Sequence, residues 1–314
     1  MTALPSDVET LAAGGKGALA RSLTALETRP DDPALARLLD AAWAAPKGAA
    51  IGLTGPPGVG KSTLVNALIA RLRARGETVA VIAVDPSSRR SGGALLGDRT
   101  RIETDPEDSG VFVRSMAARR RLGGVAEFTF PAVVLMRAVF DRVFVETVGV
   151  GQSETEIADC ADLTVFCAQP GSGDALQFMK AGVMEVPDLV LVTKGDLGQP
   201  ADRAAADLRG ALSLAAGGTE IPVAIVSART GAGLDAGIAA VDAALAALPG
   251  GLALADRRRL QAREWAESQV RESFGSVGLR QLAPRIAGLD NPFSAIAGLR
   301  KAATQAVHES LKGL

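Results

Sequence analysis

The sequence contains Gly55-Pro56-Pro57-Gly58-Val59-Gly60-Lys61-Ser62-Thr63, and this stretch decides the fold because it matches G-x-x-x-x-G-K-[ST], the phosphate-binding P-loop. A true P-loop follows a strand and opens a helix. Residues 49–53 form a short apolar run, and residues 64–72 carry apolar side chains at helical spacing. The glycines let backbone N–H groups converge on phosphate oxygens at the helix N-terminus. We expect Lys61 to reach the β- and γ-phosphates and Ser62 to bind Mg²⁺.

Short apolar runs alternate with helical patterns from residue 49 to about residue 247. Most runs are rich in β-branched residues and none alternates strictly, which is typical of a parallel sheet buried on both faces. The predicted fold class is α/β: a doubly wound, mostly parallel P-loop sheet that binds ligands at the carboxyl ends of its strands. The predicted strands are 49–53, 79–84, 111–113, 143–145, 163–166, 189–192 and 223–226.

Helical patterns flank the sheet on both sides in the sequence. The predicted organisation is an N-terminal helical extension over 1–47, a P-loop domain over 48–250 and a C-terminal helical extension over 251–314. The last segment is too short for its own core, so its apolar stripe must dock on the body of the protein or on another subunit. The run Arg257–Arg259 is interpreted as a solvated helix face. The stripe consists of Ala262, Trp265, Ala266, Val270 and Phe274.

The composition is that of an ordinary globular protein, with 47% hydrophobic and 22% charged residues. Lys and Arg number 34 against 35 Asp and Glu, so the net charge of -1 predicts no affinity for nucleic acid. Cys160 and Cys167 lie in apolar surroundings and are interpreted as buried thiols of a reducing compartment. His308 is the only histidine, which speaks against a His-based metal site or catalytic triad.

The sequence offers no pattern for a membrane or for export. No run approaches about 18 uninterrupted apolar residues, the length that a membrane-spanning helix requires. The N-terminus has neither the basic flank nor the apolar core of a signal peptide. We therefore expect a cytoplasmic protein without a membrane partner.

A second motif, Thr193-Lys194-Gly195-Asp196, ends the sixth predicted strand and fits the [NT]-K-x-D pattern for recognition of guanine. The Asp196 carboxylate can accept from guanine N1–H and N2–H₂ together, and the Lys194 stem can lie on the purine face. Thr193 replaces the usual asparagine. Ser227-Ala228-Arg229 ends the last predicted strand and fits the loop that gives a backbone N–H to guanine O6. Together these motifs predict a guanine-nucleotide site.

Three acidic residues are candidates to surround Mg²⁺ and the γ-phosphate. Asp85 ends the second predicted strand, although an aspartate of a helix cap or of a turn is the alternative there. Glu146 ends the fourth strand, and Gly149 follows it to offer an N–H to the γ-phosphate. Asp98 closes a glycine-bracketed loop that could move over the nucleotide. The predicted catalytic residues are Lys61, Asp85, Asp98 and Glu146. The predicted metal ligands are the same three acidic residues and Ser62.

The position after Gly149 predicts slow intrinsic hydrolysis. Fast GTPases often place a water-orienting glutamine there, and this chain has Val150. Gln152, Glu154 or a partner would have to supply that function. Two predicted strands intervene between the P-loop and Glu146, an order that favours the all-parallel class of signal-recognition and metal-insertion GTPases.

The sequence resembles the MeaB-type GTPases, chaperones of adenosylcobalamin-dependent methylmalonyl-CoA mutase that are also labelled ArgK or lysine/arginine/ornithine transport ATPases. The resemblance covers about residues 50–300, and the run Glu146–Glu154 is its most specific part. Arg120 stands where the family usually has a glycine after the arginine that matches Arg119. Other matching stretches are Gly55–Thr63, Val84–Ser88, Gly97–Arg101, Arg114–Met116, Leu122–Gly124 and Gly173–Gln177.

The resemblance implies GTP and GDP as ligands, Mg²⁺ as cofactor, a homodimer formed through the C-terminal helices, and a B12-dependent acyl-CoA mutase (methylmalonyl-CoA mutase) as partner. The implied function is to gate adenosylcobalamin loading and to protect the mutase. A mobile loop around residues 171–181 would report to the partner, although a helix start capped by its aspartate is the alternative interpretation. The residues of that loop are Asp174, Gln177 and Lys180.

Two other functions stay open at this point. One is a nucleotide-driven amino-acid transport ATPase or kinase component, against which the lack of a membrane segment and of a second substrate motif speaks. The other is a nickel-insertion GTPase, which would require His and Cys ligands, and the chain has one His and two Cys.

Overall fold

The structure is a computed structural model that describes residues 3–86, 102, 104–118, 128–147, 157–171, 187–215, 220–248, 253–286 and 290–312. The chain divides into two units. The sheet unit comprises Gly48–Thr129 and Phe140–Arg257, and the helical unit comprises Met1–Lys47, Phe130–Val139 and Arg258–Leu314. The N-terminal and C-terminal helices, which the sequence predicts as separate extensions, therefore share one unit.

The sheet unit is built on seven strands: β1 Ala49–Thr54, β2 Val79–Pro86, β3 Val111–Ala118, β4 Arg142–Glu146, β5 Leu163–Ala168, β6 Leu189–Val192 and β7 Val223–Ile225. Their order is β3-β2-β4-β1-β5-β6-β7, and every pairing is parallel. The predicted parallel sheet is confirmed. The chain extends the sheet in one direction from β1 and then in the other. The carboxyl end of β1 is therefore a switch point, where α/β sheets bind their ligands.

Helices cover both faces of the sheet, as the continuous apolar strands require. Helices α4 (Lys61–Ala74) and α7 (Leu234–Ala246) pack on one face, where Val165 and Leu191 are buried. Helix α6 (Gln199–Ala215) packs on the opposite face, where Phe166 and Val190 are buried. Successive strand residues thus point to opposite helix layers, which makes the fold doubly wound.

Three aspartates close the amino ends of strands in the same way. Each precedes one strand, and its backbone N–H and carboxylate bond the C=O and N–H of one residue at the start of the neighbouring strand. The carboxylate bond is 2.8 Å long in all three cases, so a strand-end N–H that lacks a ladder partner is satisfied. The pairs are Asp141 with Thr78, Asp162 with Ala50, and Asp188 with Thr164.

Arg257 completes this edge and corrects the interpretation of Arg257–Arg259 as a purely solvated face. Its two terminal nitrogens bind the carboxylate of Asp188 at 2.6 and 2.8 Å, and one of them also donates to the Asp162 carbonyl. The Asp188 side chain is only 6% exposed. The bond to Asp188 raises the pKa of Arg257 above its ordinary value, although burial opposes the shift. One arginine of the run is therefore a structural partner of a buried carboxylate.

The helical unit contains α1 (Val8–Ala13), α2 (Gly15–Thr28), α3 (Pro33–Ala44), most of α5 (Thr129–Val139), most of α8 (Leu254–Ile286) and α9 (Pro292–Lys312). Helix α8 is interrupted at Gly275, whose φ of 67° is not helical. Buried Asp40 on α3 accepts the backbone N–H groups of Phe293 and Ser294 at 3.1 and 3.0 Å. This carboxylate caps the N-terminus of α9 and ties it to α3.

The predicted apolar stripe of α8 packs inside the helical unit. Trp265 contacts Phe130 and Phe293, with ring centroids 5.9 and 4.7 Å apart. Val270 is buried in a cluster with Ile286 and other apolar residues. The stripe is thus covered by the same chain. Among the described residues, no helix combines the length and the apolarity needed to cross a membrane.

Candidate nucleotide-binding site

The P-loop begins directly after β1, at the switch point of the sheet. Gly55 has a φ of 134°, and a Cβ atom at this position would lie 2.3 Å from the carbonyl oxygen of Cys167. Gly60 has a φ of 98° and immediately precedes α4. Only glycine fits both positions without strain. The loop therefore delivers its backbone to the N-terminus of α4, as a phosphate site requires.

Lys61 lies folded into the P-loop. Its side chain is buried, and its Nζ donates to the carbonyl oxygens of Gly55 at 2.6 Å and Pro56 at 3.3 Å. Burial raises the pKa of the nearby Cys167 thiol to about 12, while the positive charge of Lys61 lowers it and the negative charge of Glu146 raises it. The ammonium group thus stands within the loop that is predicted to cradle phosphates.

Ser62 and Glu146 meet, as the sequence predicts for metal ligands. The Ser62 hydroxyl donates to Glu146 Oε1 at 2.6 Å, and Glu146 is only 8% exposed. A hydroxyl beside a carboxylate is the hard oxygen set that Mg²⁺ prefers, so these residues fit that ion. Asp85 occupies the end of β2, two positions beyond the partner of Glu146 in the strand register. Its backbone therefore lies at the same edge of the sheet.

Several predicted site residues lie outside the part of the chain that the structure describes. They are Asp98 and Gly149, the hydrolysis candidates Val150, Gln152 and Glu154, the loop residues Asp174, Gln177 and Lys180, and the family position Arg120. Their roles stay predictions.

Thr193 connects the predicted base loop to the P-loop. It follows β6, is 5% exposed, and its hydroxyl lies 2.7 Å from the carbonyl oxygen of Val59 and 2.9 Å from that of Ala168. A hydroxyl has one proton, so it donates to these two acceptors in turn or shares the proton between them. Threonine thus holds the base loop against the phosphate loop without an amide.

Lys194 adopts a left-handed backbone conformation, with φ 56° and ψ 37°. Among the described residues it is the only non-glycine residue with a positive φ. Its Nζ donates to the side-chain oxygen of Gln169 and, at 3.3 Å, to the carbonyl oxygen of Gly58. The lysine stem therefore runs from the base loop toward the P-loop, where it can lie along a purine face. Non-glycine residues in this conformation are often found at functional sites.

Asp196 sits in a short 3₁₀ turn, Gly195–Leu197, and holds two residues of the next loop. Ser227 Oγ donates to Oδ1 at 2.6 Å, and Arg229 donates to Oδ2 through Nε at 2.8 Å. The bonds from Ser227 and then Arg229 lower the pKa of the Asp196 carboxyl below its ordinary value. Asp196 therefore stays an anionic acceptor under ordinary conditions, which recognition of two guanine N–H groups requires.

A pocket of about 270 Å³ lies between the P-loop and these loops. It brings together the P-loop, the Thr193–Asp196 motif and the Ala228–Arg229 pair, as predicted. Of its apolar walls, Val59 and Ala228 belong to the predicted motifs, and the sequence prediction missed the other three, Leu64, Leu197 and Val226. Leu197, with 52% of its surface exposed, is the most accessible of these three. Motif spacing carries no signal for such walls. The lining residues are Val59, Gly60, Thr63, Leu64, Thr193, Lys194, Asp196, Leu197, Val226, Ala228 and Arg229.

Two further polar groups at this edge have no counterpart in the sequence prediction. Thr54 ends β1 and Thr147 follows β4, and both hydroxyls are buried. Within the described parts of the chain, neither hydroxyl has a hydrogen-bond partner. Buried hydroxyls are usually satisfied, so these two are additional candidates to face a ligand or ordered water.

Comparison with known proteins gives the same picture. The family model described as "Methylmalonyl Co-A mutase-associated GTPase MeaB" matches residues 19–279. A putative GTPase of Caulobacter vibrioides is 40% identical over 290 residues, which is 89% of this chain and 87% of that protein. The mitochondrial methylmalonic aciduria type A homolog of Mus musculus is 43% identical over 190 residues, which is 59% of this chain and 46% of that protein.

A solved structure also matches over most of its length. The crystal structure described as an LAO/AO transport system kinase superposes with a TM-score of 0.62 at 29% sequence identity. The match covers 90% of this chain and 96% of that chain.

Proposed function

The chain belongs to the MeaB family of GTPases, and from this membership we propose that it gates adenosylcobalamin loading of a B12-dependent acyl-CoA mutase and protects that enzyme. Methylmalonyl-CoA mutase is the proposed partner. The single observation that carries the proposal is the match of residues 19–279 to the family model, whose description names that mutase. The family relationship establishes GTP hydrolysis. The mutase role is the step beyond it.

The proposed nucleotide site follows the geometry of the sheet edge. Triphosphate binds the P-loop, with Lys61 turning from its carbonyl partners to the β- and γ-phosphates. Guanine enters the pocket and donates to Asp196. Thr193 links the base loop to the P-loop, so a change in the P-loop is transmitted to the base loop through one buried hydroxyl.

The proposed metal site consists of Ser62 and Glu146, with Asp85 and Asp98 completing the acidic surroundings. When bound, Mg²⁺ neutralises charge that develops on the β- and γ-phosphate oxygens. The contribution of the chain is to place a hydroxyl and a carboxylate together, 2.6 Å apart, at the start of α4. Glu146 is nearly buried, which limits the water that competes for this carboxylate.

The proposed coupling to the partner rests on the lack of a water-orienting glutamine after Gly149 in the sequence. Val150 follows the γ-phosphate glycine and cannot orient the attacking water, so we expect slow intrinsic turnover unless Gln152, Glu154 or a partner supplies that group. The mutase contacts Asp174, Gln177 and Lys180 in this proposal, and the contact changes the balance between open and closed forms of the nucleotide site.

A homodimer through the C-terminal helices is also proposed. The predicted stripe packs within its own helical unit, so other, exposed positions of α8 are the proposed contact surface. Leu260 and Val277 are candidates, with 49% and 57% of their surfaces exposed. Both lie on α8, and burial of large exposed apolar side chains favours association.

A pull-down tests the mutase proposal. The protein is incubated with purified methylmalonyl-CoA mutase, with GDP or with a non-hydrolysable GTP analogue. We expect retention of the mutase to depend on which nucleotide is present, because the loop that contacts it responds to the γ-phosphate. Lys61→Ala is the control, since it should lose the nucleotide dependence and keep the fold. Failure to retain the mutase with either nucleotide contradicts the proposal.

Substitutions in the relay loop test its assignment separately. Asp174→Ala and Gln177→Ala should weaken nucleotide-dependent retention of the mutase and leave GTP binding unchanged. Retention that is identical to the wild type would discard this loop as the relay.

A further inference from the structure

Arg229 makes two hydrogen bonds to the carboxylate of Asp196, the group proposed to recognise the base. Its Nε and Nη2 both donate to Asp196 Oδ2, at 2.8 and 2.5 Å. Ser227 Oγ donates to the other oxygen, Oδ1, at 2.6 Å. All three residues lie in the loops that follow β6 and β7, and Asp196 and Arg229 line the same pocket. The carboxylate therefore already accepts three hydrogen bonds.

Counting acceptor positions shows what this arrangement leaves for a base. A carboxylate has about four lone-pair positions, two on each oxygen. Arg229 fills both positions on Oδ2, and Ser227 fills one on Oδ1. One position is left. A base with a single N–H donor can use it, whereas guanine presents N1–H and N2–H₂ side by side and needs both oxygens.

The guanidinium group also matches the edge of guanine in chemistry. Each presents two N–H donors, pointing the same way, from a planar N–C–N unit. The Arg229 side chain is 74% exposed, while that of Asp196 is 11% exposed. The arginine can therefore leave into solvent at small cost, and the carboxylate stays in place for its replacement.

We propose that Arg229 is a specificity-determining residue that competes with the base for Asp196 by imitating the edge of guanine. Guanine displaces the guanidinium from Oδ2 and restores the lost bonds with its own pair of donors. Hypoxanthine lacks the exocyclic amine, takes the one remaining position, and leaves Arg229 where it is. The cost of displacing Arg229 thus falls on guanine alone. The proposal rests on the guanine-nucleotide site described above and is independent of the mutase.

The test compares GDP with IDP, since the two nucleotides carry the same phosphates and differ only in the base edge. Dissociation constants are measured by calorimetry for the full-length wild type and for Arg229→Ala. Loss of one positive charge changes the attraction of both nucleotides equally, so the ratio of the IDP constant to the GDP constant isolates the base edge. Arg209→Ala is the matched control. It removes another exposed arginine of the sheet unit, whose Nη2 binds the Val223 carbonyl at 3.0 Å outside the pocket.

We expect the IDP-to-GDP ratio to rise about two- to fivefold in Arg229→Ala, the range that an exposed ion pair supports, and to stay at the wild-type value in Arg209→Ala. A ratio that is unchanged or lower in Arg229→Ala overturns the proposal. Absence of GDP binding by the wild type would instead contradict the guanine-nucleotide site itself, so the two failures are distinct.

Discussion

Thr193 stands where the [NT]-K-x-D motif usually has asparagine, and its hydroxyl joins the predicted base loop to the P-loop. Threonine lacks the amide of asparagine. Its buried hydroxyl instead lies within hydrogen-bond distance of the carbonyl oxygens of Val59 and Ala168. What the position requires is a donor that reaches the P-loop carbonyl. A short hydroxyl on a β-branched side chain meets that need with little conformational freedom to lose.

Asp196→Asn should weaken GTP binding and favour xanthosine triphosphate. The amide offers a donor where guanine needs an acceptor, and xanthine presents an oxygen in place of the guanine amine. Loss of one charged hydrogen bond is worth roughly 1.5–3 kcal/mol, or about tenfold or more in affinity. Competition binding of GTP, XTP and ATP measures the change. Unchanged preference for GTP would remove the Thr193–Asp196 loop as the base site.

The pH dependence of guanine binding follows from the lowered pKa of Asp196. The carboxylate is fully charged above the ordinary aspartate range and loses its charge only as the pH falls through the depressed pKa. The contact between guanine and Asp196 should therefore persist at about pH 5 and be lost only in stronger acid. An ordinary aspartate, with a pKa of about 3.9, is also mostly ionised at pH 5.

The strands and their order illustrate what a sequence pattern can and cannot predict at the level of elements. Short apolar runs, most of them rich in β-branched residues, predict all seven strands, because strands buried on both faces have few polar positions. The partner of Arg257 was not predictable. Asp188 lies 69 residues away along the chain, and an arginine run gives no sign of which member turns inward. The same limit applies to Arg229 and Asp196, 33 residues apart.

Arg257→Ala should destabilise the sheet unit. The substitution leaves Asp188 buried with only the Thr164 N–H as a partner among the bonds described above. Removal of one member of a buried pair costs about 3 kcal/mol. Urea unfolding measures the loss, and Arg203→Ala, an exposed arginine on α6 of the same unit, is the control. Equal stability of the two variants would show that the Arg257–Asp188 pair contributes nothing.

At the scale of the whole molecule, the helical unit combines segments from both ends of the chain with α5. Local sequence cannot predict this grouping, because it depends on contacts such as Asp40 with the N-terminus of α9, more than 250 residues away. The spacing of apolar residues on α8 predicts a packing face but does not predict which surface covers it. In the structure, the same chain covers it.

The proposed homodimer depends on the exposed apolar side chains of α8, Leu260 and Val277. Val277→Glu should convert a dimer to a monomer, because it places a charge on a side chain that is 57% exposed and would be buried between subunits. Light scattering at micromolar concentration measures the mass, and Glu272→Gln, an exposed position on the same helix, is the control. A wild type that is already monomeric would refute the dimer.

GTP turnover with and without purified methylmalonyl-CoA mutase tests the central claim most directly, that this GTPase works for a B12-dependent mutase. Groups supplied by a partner accelerate other GTPases by about 10³–10⁵. We expect the mutase to accelerate turnover by the wild type, and we expect Lys61→Ala to show no turnover in its presence or absence. A wild-type rate that saturating mutase leaves unchanged would contradict the account.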